Sequence, residues 1–262
     1  MFKRIGILAT LCFLLQMQSI ASIVILNGLS QMKTASVGET YTGFIEIQNA
    51  GSVAKTVRIY QTDYSFDYHG NAFYKEDLAS PRTNAHWIEF SPKQTSLGAG
   101  EIMQVRYKVK VPTNDSLTGS FWSLFMVEEI IPPDPNAKKQ LAITTTMRYA
   151  IQIVTNIGTT GISSLKKIQQ SVSNEEAGNY LHLDIENDGE RLLTLKFSMQ
   201  VFNKEGIRVL DTEHPSRKLY PASSLRFDFL LNGLQSGVYS AVCYADGGED
   251  EIFGFEIDFT IP

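Results

Sequence analysis

The stretch Ile45-Glu-Ile-Gln-Asn49-Ala-Gly51 returns later as Leu183-Asp-Ile-Glu-Asn187-Asp-Gly189, with Asn187 standing 138 residues after Asn49. Each copy alternates apolar and polar side chains and ends in an Asn-x-Gly turn signal. Successive side chains of a strand point to opposite faces, so this pattern gives one buried and one wet face. The alternation spreads outward from both copies. Upstream of Asn49, Tyr41, Gly43, Ile45 and Ile47 share one face. Met103, Val105, Tyr107, Val109 and Val111 share another, against Gln104, Arg106, Lys108 and Lys110. Past Gly189 come Leu193 to Val201, Leu225 to Leu231 and Phe253 to Ile261, all in steps of two. Turn signals separate them at 49–51, 187–189, 204–206 and 246–248.

No segment after the first 21 residues keeps helical periodicity over three turns, so the chain is read as all-β. A second echo, Gly119-Ser-Phe-Trp-Ser against Gly237-Val-Tyr-Ser, comes at an offset of 118. The order of strands and turns thus occurs twice. Short strands at regular turn spacing predict two immunoglobulin-like β-sandwich domains of about seven strands each. Gly158, Thr159, Thr160 and Gly161 interrupt the apolar pattern and place the boundary there. The expected organisation is a signal peptide at 1–21, an N-terminal domain at 22–158 and a C-terminal domain at 159–262.

The signal peptide rests on a basic start at Lys3-Arg4, an apolar run from Ile5 to Leu15, and small residues at Ser19 and Ala21. Cleavage after Ala21 removes two cations and leaves 21 basic against 28 acidic residues. An acidic exported chain argues against nucleic acid as a partner. No later stretch reaches the roughly 20 apolar residues of a membrane span, so no stable membrane insertion is expected. Cys243 would be the single remaining cysteine, which excludes an intrachain disulfide. With 43% hydrophobic and 19% charged residues, the chain is globular rather than disordered.

Catalytic chemistry is missing. His69, His86, His182 and His214 have no partner at ligand spacing and are read as scattered surface or loop histidines. Cys243 alternates with Tyr239 and Ala241 and is read as a buried small hydrophobe. There is no nucleophile elbow, phosphate loop or dinucleotide fingerprint. Asp246, Glu249, Asp250 and Glu251 lack the spacing of a calcium loop and are read as a solvated hairpin tip. The expectation is a protein with no enzymatic activity, no metal and no cofactor.

The run Phe121-Trp-Ser-Leu-Phe-Met-Val-Glu-Glu-Ile-Ile-Pro132-Pro133, continued by Leu141-Ala-Ile143-Thr-Thr-Thr-Met147-Arg148-Tyr149, resembles the PapD-type periplasmic pilus chaperones. So do Trp87-Ile-Glu-Phe-Ser-Pro92, Leu97-Gly-Ala-Gly100-Glu101, and Gly38-Glu39 leading to Asn49. The resemblance spans about residues 33–150. It implies two immunoglobulin-like domains set at an angle, in the periplasm, holding subunits of a pilus-like surface polymer and passing them to an outer-membrane usher. Each such subunit lacks one strand, and the chaperone lends its own by β-augmentation.

By this resemblance the lending strand is Leu141–Ile153. Leu141, Ile143 and Met147 would face the client, with Thr145 between them, on an exposed edge after a mobile loop at Pro132–Lys139. Lys33 and Arg148 would together hold the client's terminal carboxylate. Four departures stand out: a lysine at 33 where arginine is usual, no proline closing the long strand, a lending segment made less hydrophobic by Thr144, Thr145 and Thr146, and an added loop from Asp67 to Ala85. The alternative is a secreted or surface-associated structural or adhesive module.

Overall fold

The computed structural model describes residues 23–131, 146–248 and 251–262. The expected signal peptide, the loop Pro132–Lys139 and the pairing residues Leu141, Ile143 and Thr145 lie outside the described residues. The described chain is all-β, and its one helix is a single 3-10 turn at Ala85–Trp87. No helix among the described residues is long and apolar enough to cross a membrane.

The first domain holds ten strands rather than about seven. They are β1 (Ile23–Ile25), β2 (Ser30–Ala35), β3 (Thr40–Asn49), β4 (Lys55–Phe66), β5 (Ala72–Lys75), β6 (Ile88–Ser91), β7 (Gln94–Leu97), β8 (Ile102–Lys110), β9 (Gly119–Ile130) and β10 (Arg148–Ile157). One sheet runs β1-β3-β8-β6 and the other β2-β10-β9-β4-β5, with β7 also on β4. Two of the additional strands have identifiable sources. The first strand breaks at Gly28, whose φ of 85° an L side chain rarely adopts, and so serves both sheets as β1 and β2. The added loop folds partly into β5, which extends the end of β4. Between the sheets, Ile45, Ile47, Val57, Val105, Phe125, Ile151 and Ile153 form the dry core.

The second domain has seven strands: β11 (Lys166–Glu175), β12 (Gly178–Glu186), β13 (Leu193–Asn203), β14 (Arg208–Leu219), β15 (Ser224–Leu230), β16 (Gly237–Gly248) and β17 (Glu251–Ile261). The sheet β11-β12-β15 packs on β14-β13-β16-β17. The sheet neighbours β12 and β15, like β13 and β16, are not consecutive in the chain, which is Greek-key connectivity. Cys243 is buried in this core and unoxidised, and burial pushes its thiol up to about 12.

The repeated Asn-x-Gly turns are one device built twice. Asn49 and Asn187 are both 0% exposed. The Asn49 Nδ2 donates to the carbonyls of Val53, Leu97 and Gly98, and its Oδ1 accepts from the Gly51 N–H. The Asn187 Nδ2 donates to Arg191 and Leu219, and its Oδ1 accepts from the Gly189 N–H. Each side chain thus ties a strand end to a distant loop, satisfying backbone groups that would otherwise be buried unpaired.

The domains meet along two features. A polar joint forms where the Ser120 N–H donates to the Glu190 carbonyl at 2.8 Å, and the Leu192 N–H to Ser120 Oγ at 2.8 Å. A Cβ on Gly119 would lie 2.2 Å from the Glu190 carbonyl oxygen, so only glycine admits this approach. Beside it, Tyr220 of the second domain packs on Trp122, Tyr64 and Phe66 of the first, with ring centroids 4.8 to 6.1 Å apart.

If the asparagine pins carry the turns, Asn187→Ala should destabilise the protein by about 2–4 kcal/mol, since it strands two buried carbonyls and an N–H. Asn49→Ala should cost a similar amount. Urea unfolding measures both, and a loss below about 0.5 kcal/mol in either variant would show that its turn holds without the pin.

Candidate functional site

Strand β10 pairs with β9 along its whole length, from Arg148 opposite Glu128 to Ile157 opposite Gly119. On its other edge β2 covers only Gln152 to Ile157, because β2 begins at Ser30. The outer edge from Arg148 to Ile151 therefore has no strand partner among the described residues. Just before it, Met147 is 53% exposed, and Leu26 and Leu29 are exposed in the bend where β1 passes into β2. The Tyr149 hydroxyl donates to the Ile23 carbonyl and tethers the start of β1 to β10.

Arg148 does not stand free. Its Nη2 lies 3.2 Å from Glu128 Oε1, while Arg58 Nη2 lies 3.0 Å from Glu128 Oε2. One carboxylate on β9 thus bridges arginines on β10 and β4, and Arg58 also stacks over Tyr60 at 4.2 Å. Burial pushes the Glu128 carboxyl up, but the hydrogen bonds and charges of Arg58 and Arg148 outweigh it and hold it below the ordinary glutamate value.

Lys33 is elsewhere. It pairs with Thr155, seven residues along β10 from Arg148, which is roughly 23 Å at a strand's rise per residue. Alternation sets it on the same side of β2 as Gln31, and it borders a shallow hollow with Tyr41 and Phe44. A single carboxylate cannot reach both Lys33 and Arg148. The error lies in pairing: adjacency across β2 and β10 joins residues more than a hundred positions apart, and no local pattern sets that register.

The groove between the domains carries different cations. A hollow of about 320 Å³ is bordered by Phe66, Gln152, Tyr220, Arg217 and Lys218. Lys218 Nζ donates to Ser30 Oγ at 2.6 Å across the groove, and burial lowers its pKa below the ordinary lysine value. Arg217 donates to the Arg226 carbonyl and lies over the Phe227 ring. Neither has a carboxylate partner among the described residues. The sequence held no signal for them, since an Arg-Lys pair ending a strand is a common surface pattern.

Two further residues can be placed. His182 lies on β12, on the polar side of the alternation with Leu181 and Leu183, with Nδ1 2.6 Å from Asp228 Oδ1 and Nε2 2.7 Å from Ser173 Oγ. In the acidic cluster at 246–251, Glu249 and Asp250 lie outside the described residues. Glu251 is no solvated tip, because it is paired with Arg191 at 3.1 Å and accepts from Ser163.

No protein-family model and no curated protein matches this chain. Its fold is similar to those of solved fimbrial chaperones. A chaperone–tip adhesin complex of CFA/I fimbriae is 15% identical, with a TM-score of 0.49 over 91% of this chain and 98% of that one. The class 5 fimbrial chaperone CfaA is 14% identical, with a TM-score of 0.48 over 92% and 99%. The CsuC–CsuE chaperone–tip subunit pre-assembly complex of Acinetobacter baumannii is 17% identical, with a TM-score of 0.46 over 90% and 98%.

The bridged carboxylate gives a signed pH dependence. A group whose folded pKa is depressed adds stability above its unfolded pKa and loses it as pH falls through the folded one. Wild type should therefore exceed Glu128→Gln in stability at neutral pH, and the gap should close in acid. Denaturant melts across that range measure it, and a gap independent of pH would remove the ionic row as its cause.

Proposed function

We propose that this chain is a periplasmic chaperone that binds subunits of a pilus or other surface polymer by lending them the edge of β10. The observation that carries this is the unpaired stretch Arg148–Ile151, which continues the alternating run Leu141, Ile143, Thr145 and Met147. An open strand edge offers a client main-chain hydrogen bonds, and alternate side chains fill the client's exposed groove. In a protein without such a role, an open edge is an aggregation hazard. The sequence resemblance to PapD-type chaperones points the same way and brings an outer-membrane usher as the expected recipient of the client.

Lys218 is the better candidate for the carboxylate anchor than Lys33. It is half-buried in the groove between the domains, bonded only to a neutral hydroxyl, and close to the paired part of β10 through Ser30. A charge-assisted bond from a partly desolvated ammonium to a client carboxylate is stronger than a neutral one. In this scheme Arg148, neutralised by Glu128, shapes the outer face of the lending strand and does not grip the client's terminus.

The test is periplasmic co-expression with the single-sandwich proteins encoded alongside this chain, followed by pull-down. Met147→Asp and Ile143→Asp should each weaken client capture ten-fold or more, about 1.4 kcal/mol, with an unchanged melting temperature. Lys218→Met should do the same, and Lys33→Met should have little effect. Full capture by the two Asp variants would remove strand lending. Loss with Lys33→Met but not with Lys218→Met would return the anchor to the first strand.

A further inference from the structure

The added β4–β5 hairpin of the first domain reaches the second. The Tyr68 N–H donates to Ser224 Oγ at 3.1 Å, and the Arg226 guanidinium lies over the Tyr68 ring at 5.9 Å. The landing point is firm. Ser224 begins β15, and Arg226 on the same strand donates at 2.7 Å to both oxygens of Asp184, which is 1% exposed and also accepts from Gln169. The hairpin tip is firm as well. The Asp67 carboxylate accepts the His69 and Asn71 N–H groups and the Asn71 side-chain amide, an Asx turn that fixes the loop from within. Behind the tip, the Trp122 indole N–H donates to the Tyr64 carbonyl and pins β4 to β9. Two well-braced elements, one from each domain, therefore meet at Tyr68.

That meeting point also shapes the groove. Asp67, Gly70 and Asn71 of the tip border the same hollow of about 320 Å³ as Arg217 and Lys218. One side of the hollow thus belongs to the hairpin and another to the end of β14. Lys218 depends on how the two domains are held, because its bond to Ser30 at 2.6 Å crosses from the second domain to the first. Domains joined by small polar contacts move relative to one another unless something further holds them. The polar joint at Glu190 and the rings around Tyr220 meet the first strand turns of β9, at Ser120 and Trp122. The hairpin tip adds a separate contact on β15.

We infer that the β4–β5 hairpin is an interdomain strap, with Tyr68 as the positioning residue that keeps the second domain where Lys218 faces Ser30. The grip uses the Tyr68 backbone N–H and the face of its ring rather than its hydroxyl. A strap of this kind gives the Asp67–Ala85 loop a purpose: it holds the groove at one width, ready for a client chain. Its service to the client rests on the strand-lending reading, whereas its hold on the second domain does not.

Spin labels at Val53→Cys and Ile207→Cys, both 60% exposed and one in each domain, read the separation of the domains in the client-free protein. Cys243 is buried and Cys12 falls within the expected signal peptide, so neither takes a label in the exported chain. Strapped domains should give one narrow distance distribution. Tyr68→Ala combined with Ser224→Ala should broaden it at an unchanged melting temperature, since neither residue belongs to the core of either sandwich. Tyr68→Phe keeps the N–H and the ring and should match wild type. Capture of the single-sandwich clients should fall several-fold in the double variant and not in Tyr68→Phe. A distribution as narrow in the double variant as in wild type would overturn the strap. A broadened distribution with undiminished capture would overturn its service to the groove. Failure of wild type itself to capture clients would count against strand lending alone, and the distance distributions would still decide the strap.

Discussion

Glu190 sits at the point where the two sandwiches become one molecule. Its N–H donates to the Ile162 carbonyl at 2.7 Å and its carbonyl accepts the Ser120 N–H. Its Oε1 accepts from Arg82 and Thr118, and its Oε2 from the Ile162 N–H. Burial raises its carboxyl pKa, but the Ile162 N–H, Thr118 and Arg82 together bring it below the ordinary value. The residue can do this because Asn187 has already fixed the turn that presents it, and because Gly119 leaves room for its carbonyl. The buried asparagine, the turn and the carboxylate form one chain of dependence.

The same joint reaches β10. The strand runs from the open edge at Arg148 to Asn156, whose Oδ1 accepts from Ser120 Oγ, and the same Ser120 oxygen accepts the Leu192 N–H of the second domain. The edge suited to a partner and the joint that orients the second domain therefore lie on one continuous ladder with β9. Lys218 reaches Ser30, and Ser30 pairs with Gln152 at the point where β2 begins to cover β10. The cation in the groove and the end of the open edge are fixed by the same register.

Period-two alternation and Asn-x-Gly turns are local, and they made the all-β class and the two sandwiches legible in the sequence. The repeat around Asn49 and Asn187 carried more than its short length promised, since both asparagines make the same contacts. What stayed hidden depends on which strands meet. The switch of the first strand between sheets at Gly28 split one expected strand into two. The face of Lys33 followed from a parallel pairing with Thr155, and the cations of the groove came from the far end of β14. The partners of His182 were hidden for the same reason: Ser173 and Asp228 lie on the two neighbouring strands of its sheet. Alternation gives each strand two faces but does not say what lies across from either.

The distribution of charge gives the groove its meaning. Acidic residues outnumber basic ones across the chain, 28 to 23. Arg82, Arg148, Arg191 and Arg226 each have a carboxylate within 3.2 Å. Lys33 and Lys75 have no carboxylate partner among the described residues either, but both are exposed, whereas Lys218 is half-buried. Lys218 stands in the groove with a hydroxyl and no carboxylate, and burial has already lowered its pKa. Desolvation without a counter-charge costs folding free energy, whereas a solvated lysine at that position would cost nothing. Functional sites are where such costs accumulate, because a perturbed group is poised for a partner that arrives later. Arg217 borders the same hollow and adds a second positive charge there. The fold of an acidic protein thus holds a partly desolvated cation, without a carboxylate among the described residues, near the point where β2 begins to cover β10.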